Sequence, residues 1–240
     1  MKRTRIKFCG ITRPADAVAA VALGVDALGF VLVPASARYL DPTRAALIRR
    51  KLPPFVTAVA LFQNADSGSV QDAIDALRPD LLQFHGEEDA AFCASFGLPY
   101  MKAVSMAQAQ NLARALRQHR AASALLLDSH APGALGGSGK TFDWSAVRQA
   151  TRPLVLAGGL TPANVGAAVR KLRPWAVDVS SGIETRPGIK NSAKMRAFVL
   201  AVRAADGFGG IRDSGFEIRG LDGIRDSGFG IREPRGRRPL

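Results

Sequence analysis

The chain has 240 residues, of which 47% are hydrophobic, so it is long enough to bury one large core. It contains 33 Lys and Arg residues against 20 Asp and Glu residues, a formal net charge of +13. We find no signal-peptide pattern, no apolar run of the roughly 18 residues that a membrane span needs, and only two cysteines. These features predict a cytoplasmic protein with neither a disulfide framework nor a membrane segment.

The positive charge does not follow the pattern of a nucleic-acid-binding surface. Arg and Lys residues are scattered along the chain, mostly toward the ends of predicted helices, where cations favour the helix dipole. The sequence has no basic stripe with interleaved aromatic residues. A small anionic substrate therefore explains the charge better than a nucleic acid, although a basic nucleic-acid-binding protein stays open as an alternative class.

Short apolar runs alternate with alanine-rich helical stretches along the chain. The predicted strands cover residues 5–9, 26–32, 55–62, 80–85, 100–104, 123–128, 153–157 and 175–180. The predicted helices cover residues 14–23, 42–51, 68–77, 88–96, 107–120, 143–150, 162–172 and 191–204. This alternation predicts an α/β protein with a parallel sheet, and eight units predict closure into a single-domain (β/α)8 TIM barrel over residues 1–205. An open doubly wound sheet is the alternative, but no GxGxxG follows the first strand.

Several helix starts carry recognisable signals. Pro14, Pro42 and Pro162 lie at or near predicted first turns, where a missing N–H leaves no hydrogen bond unmade. Asp41 and Thr161 come directly before two of these prolines, so we predict that both are N-caps.

Residues 206–240 differ from the rest of the chain. The heptapeptide GIRDSGF occurs at 210–216 and again at 223–229, within a segment rich in Gly, Arg and Asp. Two short copies are too few for a repeat architecture, which needs about three units. We therefore predict a low-complexity, disordered C-terminal tail.

The first predicted strand ends at a cysteine. In RIKFCGIT, alternation places Lys7 and Cys9 on one face of the strand, just before a glycine turn. A nearby ammonium lowers the pKa of a thiol and favours the thiolate, so we expect a reactive Cys9. The alternative is a small buried hydrophobe. Asp178, on the strand that neighbours the first one in a closed barrel, is expected to pair with Lys7.

Polar residues end other predicted strands as well. Barrel active sites lie at the carboxyl ends of the strands, so these residues are expected to meet there. They are Lys7, Cys9, Gln83, His85, Asp128 and Asp178, with Arg38 in the loop after the second strand. A single Asp is as well explained by a helix cap or a surface ion pair, but four polar strand ends together favour a site. We interpret His85 as a hydrogen-bonded lining residue and predict no metal, because no second His or Cys completes a ligand set.

Two glycine turns follow the last two strands. Gly158 and Gly159 stand in LAGGLT, and Ser181 and Gly182 stand in DVSSGIE. Glycine lets backbone N–H groups approach a ligand, and these two loops form the usual phosphate site of the barrel. We therefore predict that the four residues bind a phosphate, the alternative for each glycine being a tight turn.

The loop after the sixth strand, HAPGALGGSGKTFDW, is long and rich in glycine, and we predict a mobile lid there. Its GSGKT resembles part of a nucleotide-binding loop, but the first glycine of that motif would fall at Ala134. The spacing therefore excludes an NTPase loop.

These segments together resemble the phosphoribosylanthranilate isomerase family of tryptophan biosynthesis. The segments that carry the resemblance are KFCGIT (7–12), GFVLVPASARYL (29–40), LLQFHGEE (81–88), LLLDS (125–129), GGSGKTFDW (136–144), LAGGLTPANV (156–165), VDVSSGIE (177–184) and PGIK (187–190). Phe8 stands where the family usually has Ile, and Asn191 stands where Asp usually follows PGIK. The tail after about residue 205 lies outside the resemblance.

The resemblance implies a cofactor-free Amadori rearrangement of a phosphosugar, with Asp128 as general acid and Cys9 as thiolate base. It implies that Arg38 binds the anthranilate carboxylate, and we expect the rest of the substrate site to comprise Lys7, Gln83, His85 and Asp178. The nearest alternative is the aminoimidazole carboxamide ribotide isomerase of the histidine pathway, whose family carries Asp where this chain has Cys9. We expect a monomer or a homodimer.

Overall fold

In the computed structural model, which describes residues 3–106, 110–128 and 152–207, eight parallel strands close into a barrel in chain order. The strands are β1 (Arg5–Cys9), β2 (Ala27–Val31), β3 (Thr57–Phe62), β4 (Leu81–Phe84), β5 (Tyr100–Ser105), β6 (Ala124–Asp128), β7 (Leu154–Ala157) and β8 (Ala176–Val179). Pairing of β8 with β1 closes the barrel, with Lys7 opposite Asp178. The predicted TIM barrel is confirmed.

Helices cover the outer face of the barrel. The described helices are α1 (Pro14–Ala22), α2 (Pro42–Arg49), α3 (Ser67–Leu77), α4 (Ala90–Ala94), α5 (Gln110–Gln118), α6 (Val165–Leu172) and α7 (Ser192–Ala205). The largest core cluster lies between these helices and the strands. Phe8 of β1, for example, meets Phe198 of α7 edge to face, with ring centroids 6.1 Å apart.

Alternation along the strands separates two environments. Phe8, Phe30 and Phe84 are completely buried and belong to the outer core. Residues at the alternate strand positions point into the barrel. Met101, Leu126 and Val155, on β5, β6 and β7, belong to a separate apolar cluster there. Cys9 belongs to a third small cluster, with Val31 and Leu61. Alternation therefore places Cys9 and Lys7 on the interior face, as predicted.

The two predicted N-caps have different outcomes. The Asp41 carboxylate accepts hydrogen bonds from the backbone N–H of Thr43 (2.9 Å) and of Arg44 (3.3 Å), which confirms it as the cap of α2. The cap predicted at Thr161 is wrong, because α6 begins at Val165. The Asn164 side chain holds the preceding residues in a turn, accepting from the Thr161 N–H (2.8 Å) and donating to the Gly159 carbonyl (2.9 Å).

A short hairpin follows β8 and was not predicted. A single 3₁₀ turn (Ser181–Ile183) leads into β9 (Glu184–Arg186), which pairs in antiparallel fashion with β10 (Ile189–Lys190). Strands of three and two residues are too short to show the alternation that identifies a strand in a sequence. This hairpin lies between β8 and α7, above the same end of the barrel as the glycine turns.

Three predictions lie outside the described residues: the helix at 143–150, the lid in the loop after β6, and the tail, of which only residues 206 and 207 are described. The helix predicted at 107–120 is described from Gln110 to Gln118. Within the described ranges, no helix combines the length and the apolarity that crossing a bilayer requires.

Candidate active site

A pocket of about 1140 Å³ opens at the carboxyl ends of the barrel strands. Of the eleven predicted site residues, eight line it: Cys9, Arg38, His85, Asp128, Gly158, Gly159, Asp178 and Ser181. These residues come from six different strands or the loops that follow them. Closure of the barrel therefore brings together side chains that lie up to 172 residues apart in the chain.

The three remaining predicted residues lie behind this lining. Lys7 and Gln83 are buried in the barrel, with 3% and 0% of their surface exposed. Gly182 lies in the turn after β8 and packs against the turn after β7. Lys7 and Gln83 each contact a lining residue, so their influence on a ligand is transmitted through that neighbour.

Lys7 and Asp178 form a buried ion pair beside Cys9. The Lys7 Nζ lies 3.0 and 3.1 Å from the two Asp178 carboxylate oxygens, as expected for neighbouring strands. Burial by itself would lower the pKa of Lys7, but Asp178 and Cys9 together hold that pKa above its ordinary value. Gly29 of β2 leaves the space for this arrangement, because a Cβ there would lie 2.9 Å from both the Cys9 Sγ and the Lys7 Nζ.

The expectation of a lowered thiol pKa is wrong. Burial raises the pKa of Cys9 above its ordinary value, because the thiolate would lose its hydration. The Lys7 ammonium lowers the pKa, the Asp178 carboxylate raises it, and the Lys190 ammonium lowers it again, but burial outweighs both lysines. The sequence indicated the cation correctly and gave no measure of how completely the closed barrel removes water from Cys9.

On the opposite side of the pocket, a chain of hydrogen bonds joins β4 to β6. The Gln83 Nε2 lies 3.2 Å from the His85 Nδ1, and the His85 Nε2 lies 3.0 Å from the Asp128 Oδ2. A Gln83 amide that donates to Nδ1 places the imidazole proton on Nε2, where it can be shared with Asp128. The Gln83 Oε1 is buried and has no hydrogen-bond partner among the described residues.

The two glycine turns lie side by side. Gly158 and Gly159 have φ of 78° and 61°, a backbone that favours glycine. A Cβ on Gly182 would lie 1.9 Å from the carbonyl oxygen of Leu160, so the turns after β7 and β8 touch at a point that excludes any side chain. Since Gly158, Gly159 and Ser181 all line the pocket, both turns border one space. This arrangement suits an anion held by N–H groups.

Arg38 is held by Glu184, a residue for which the sequence predicts no role. The Glu184 carboxylate accepts from the Arg38 Nε (2.9 Å) and Nη2 (2.7 Å), and also from the Lys190 Nζ (2.8 Å). The hydrogen bonds to Glu184 raise the pKa of Arg38. Burial would raise the pKa of Glu184, but Arg38 and Lys190 lower it below its ordinary value. The sequence offered one signal for this contact: Glu184 ends SSGIE and Lys190 ends PGIK, and each follows a run of small or apolar residues.

A second buried pair lies outside the barrel wall. The Glu88 carboxylate accepts from the Lys102 Nζ (2.9 Å), the Asn64 N–H (2.7 Å) and the Gly86 N–H (2.9 Å). Glu88 thereby ties the loops after β3 and β4 to β5 and frames the loop that carries His85. Among the described residues, no group of three His, Cys, Asp or Glu side chains is placed to hold a metal ion.

A barrel whose reactive side chains gather at one end of its strands places the chain among the TIM-barrel enzymes. The family model described as PRAI, N-(5'phosphoribosyl)anthranilate (PRA) isomerase, matches residues 6–201. The chain is 49% identical over 201 residues to the N-(5'-phosphoribosyl)anthranilate isomerase of Nitrosococcus oceani, covering 83% of this chain and 98% of that protein. The chain belongs to this family, which confirms the resemblance found in the sequence.

Solved structures of this family are similar to the chain as well. The crystal structure of phosphoribosyl anthranilate isomerase from Thermotoga maritima matches with a TM-score of 0.78 and 40% identity, over 84% of this chain and 99% of that one. A second crystal structure shows such an isomerase in complex with reduced 1-(o-carboxyphenylamino)-1-deoxyribulose 5-phosphate. It matches with a TM-score of 0.75 and 38% identity, over 84% and 99% of the two chains.

Proposed function

We propose that the chain catalyses the Amadori rearrangement of N-(5-phosphoribosyl)anthranilate to 1-(2-carboxyphenylamino)-1-deoxyribulose 5-phosphate, without a cofactor, in tryptophan biosynthesis. One observation supports this most directly. Cys9 and Asp128, a base and an acid on β1 and β6, line one pocket together with the two glycine turns. The reaction needs a proton donor and a proton acceptor on the same sugar, with the sugar's phosphate anchored nearby.

In the first step Asp128 acts as general acid. Its proton goes to the ribose ring oxygen, the bond between C1 and that oxygen breaks, and the nitrogen lone pair forms the C=N bond of a Schiff base. The 3.0 Å contact with the His85 Nε2 orients the Asp128 carboxyl group, and the partial exposure of Asp128 lets solvent return its proton after each turnover. An acid in this position contributes about 10²–10⁴-fold to the rate.

In the second step the Cys9 thiolate acts as general base. It removes the proton from C2, and the electrons of that C–H bond form the C1=C2 bond of an enolamine as the charge on nitrogen is neutralised. The enolamine then tautomerises to the ketone, with a proton added at C1. One proton leaves Asp128 and one arrives at Cys9, so the enzyme is reset by an exchange of protons with solvent.

The raised pKa of Cys9 has two opposing effects on its action as a base. Burial makes the thiolate scarce, but it also makes each thiolate a stronger proton acceptor. The two lysines, Lys7 and Lys190, recover part of that penalty, and Asp178 fixes Lys7 in place. Lys7 and Asp178 would then act mainly through their effect on the pKa of Cys9.

The remaining predicted residues would bind the two ends of the substrate. Backbone N–H groups of Gly158, Gly159 and Ser181 would hold the phosphate, with Gly182 allowing the two turns to meet, and Arg38 would bind the anthranilate carboxylate. The chain's positive charge would steer this dianionic or trianionic ligand to the pocket. We place the reaction in the cytoplasm, with no nucleic-acid partner, and the monomer or homodimer stays a prediction.

The decay of phosphoribosylanthranilate fluorescence on addition of the purified chain tests this function. The matched variants are Cys9→Ala and Cys93→Ala, because both thiols are buried and both substitutions remove a single sulfur atom. Burial raises the pKa of Cys93 to about 12, which makes it inert near neutral pH. We expect Cys9→Ala to lose about 10²–10⁴-fold in turnover and Cys93→Ala to keep the wild-type rate.

Two outcomes would contradict the proposal. If the wild-type chain does not accelerate the decay, it is not this isomerase. If Cys9→Ala turns over as fast as Cys93→Ala, the chain is an isomerase whose base lies elsewhere.

A further inference from the structure

A buried ion cluster lies directly behind Arg38. It consists of Arg38, in the loop after β2, and of Glu184 and Lys190, which begin and end the β9–β10 hairpin. The Glu184 side chain is 4% exposed, and the Lys190 side chain is not exposed at all. Arg38 lines the pocket, so the cluster presents one charged side chain to a ligand and conceals the other two.

The contact between Arg38 and Glu184 fixes the plane of the guanidinium. Glu184 accepts from Nε and from Nη2, which is the paired geometry of a fork on a carboxylate. A guanidinium has five N–H donors, and the second edge, formed by Nη1 and the other N–H of Nη2, can still bind a second carboxylate. Nη1 has no hydrogen-bond partner among the described residues. By binding one edge of the guanidinium, Glu184 therefore also fixes the direction of the open edge.

Lys190 connects this cluster to the rest of the site. Its Nζ contacts the backbone carbonyls of Cys9 and of Ser180, the second at 3.2 Å, and it lies 2.8 Å from the Glu184 Oε1. One buried ammonium thus ties the end of β1, the end of β8 and the partner of Arg38 to a single point. Lys190 therefore helps to set the distances from the Arg38 guanidinium to Cys9 and to the turn after β8.

The two residues behind Arg38 carry opposite charges. A lone Glu184 would cancel the charge of Arg38 and weaken its attraction for an anion. With Lys190 included, two basic side chains face one carboxylate, and the formal charge of the cluster is +1. The carboxylate can therefore orient Arg38 without neutralising it, because Lys190 balances its charge from behind.

We propose that Glu184, balanced by Lys190, is a positioning residue that makes the site specific for a ligand with a carboxylate on its aromatic ring. It does so by holding the Arg38 guanidinium in the one orientation that offers its open edge to the pocket. This inference rests on the proposed function, since it concerns the carboxylate of that substrate. Glu184 itself does not contact the ligand.

The test compares two ligands on the full-length chain. One is reduced 1-(o-carboxyphenylamino)-1-deoxyribulose 5-phosphate, and the other is the same reduced compound without the ring carboxylate. Both carry the phosphate and the sugar chain, so the ratio of their dissociation constants isolates the carboxylate contact. We expect the wild-type chain to prefer the carboxylated ligand by about 10–100-fold, the range expected for a charge-assisted bidentate contact.

In Glu184→Gln one oxygen is replaced by an NH₂ group, which faces an Arg38 donor and cannot accept from it. We expect this variant to lose most of the preference, while its affinity for the ligand without the carboxylate changes less than about threefold. Glu184→Asp keeps the charge of the cluster but shortens the side chain, and we expect an intermediate preference. It also provides the measurement if the amide variant does not fold.

Asp26→Asn is the matched control. The Asp26 carboxylate accepts from the Ile6 N–H (2.9 Å) and pairs with Arg3 at the opposite end of β1. We expect it to lower the melting temperature and to leave the preference unchanged. In the isomerase assay, Glu184→Gln should raise KM more than it lowers kcat, as expected for a binding contact.

The outcomes are distinguishable. If Glu184→Gln weakens both ligands equally, the residue is only structural, and the inference is overturned. The inference also fails if the variant keeps the wild-type preference. A wild-type chain that binds neither ligand and has no isomerase activity contradicts the proposed function itself.

Discussion

The two sides of the pocket surround their reactive groups in opposite ways. On the base side, formed by β1 and β8, Cys9 is buried among fixed charges, with Lys7, Asp178 and Lys190 all acting on its pKa. On the acid side, formed by β4 and β6, the Asp128 and His85 side chains are 16% and 30% exposed and contact each other. The base is dry and controlled by buried ions, whereas the acid is open to water.

This difference matches the two proton transfers. The hydrogen on C2 is a weak carbon acid, so its removal needs a strong base, and burial provides strength by denying the thiolate its hydration. Protonation of the ring oxygen needs an acid that regains its proton in every cycle, and the partial exposure of Asp128 to water provides that proton. The comparison predicts that substitutions on the base side shift the ascending limb of the pH profile. Substitutions on the acid side should lower the rate and leave that limb in place.

The largest expected effect is on the acid side. Asp128→Asn keeps the size of the side chain but has no acidic proton, so we expect kcat to fall by about 10²–10⁴-fold. Binding of the reduced product analogue should change less than about tenfold, because the phosphate and carboxylate contacts remain. Single-turnover kinetics and calorimetry measure the two quantities. A rate within threefold of wild type would remove Asp128 from the mechanism.

On the base side, Cys9→Asp tests the control of pKa. The active form of the base is unprotonated, so kcat/KM rises with pH through the pKa of the free enzyme's base. Burial places that pKa above the ordinary value for Cys9, and the ascending limb should therefore lie in the alkaline range. An aspartate is ordinarily about 4.6 pKa units more acidic than a cysteine, so the same environment should move the limb by several units toward acid.

The measurement is kcat/KM between pH 5 and pH 10 for the wild-type chain, for Cys9→Asp and for Cys93→Ala. Cys93→Ala should leave the limb where it is, since that thiol does not line the pocket. An ascending limb that stays in place in Cys9→Asp would show that the limb reports the pKa of another group and that Cys9 is not the base.

Gly29→Ala perturbs the base side alone, and more gently. The added Cβ would lie 2.9 Å from the Cys9 Sγ and from the Lys7 Nζ, so one of the two must move. We expect about a tenfold loss of kcat/KM and about 1–3 kcal/mol of lost stability from overpacking. In the control, Gly166→Ala in α6, the Cβ has its nearest contacts at 3.4 Å and should change the rate little. Equal rates for the two variants would show that the rate does not depend on the positions of Cys9 and Lys7.

Much of the scaffold was predictable because barrel strands carry a strong local signal. The alternation in RIKFC, with Phe8 outside and Lys7 and Cys9 inside, is visible in the chain alone and is confirmed by the burial of Phe8 in the outer core. The Lys7–Asp178 pair was also predictable, because closure of eight strands makes the first and last ones neighbours. Strand alternation and the closure of the barrel were sufficient to predict these two features.

The sign of the Cys9 pKa shift and the role of Glu184 were not predictable in the same way. The first depends on how completely the closed barrel excludes water, which is a property of the whole fold. The second depends on a hairpin of three-residue and two-residue strands that brings Glu184 back to Arg38, 146 residues away. Neither quantity has a local pattern, so the sequence indicated the right residue types without their energies or partners.

The smallest expected effect concerns the support of the base side. Asp206, directly after α7, accepts from the Thr4 N–H and from the Thr4 hydroxyl, both at 2.7 Å, and Thr4 immediately precedes β1. A chain that ends at Ala205 loses these contacts, whereas one that ends at Gly207 keeps them. We expect the shorter chain to be less stable by about 1–3 kcal/mol, because Thr4 is 4% exposed and its N–H loses its partner.

Thermal melts of the two truncated chains measure this difference, at about 2–4 °C for each kcal/mol in a protein of this size. Asp206→Ala in the chain ending at Gly207 should reproduce the loss, which separates the carboxylate from the length of the chain. Hydrogen exchange should then quicken at β1 and remain unchanged at β6, because the tie holds the base side alone. Equal acceleration at both strands would mean that the two sides of the pocket share one support and are not independent.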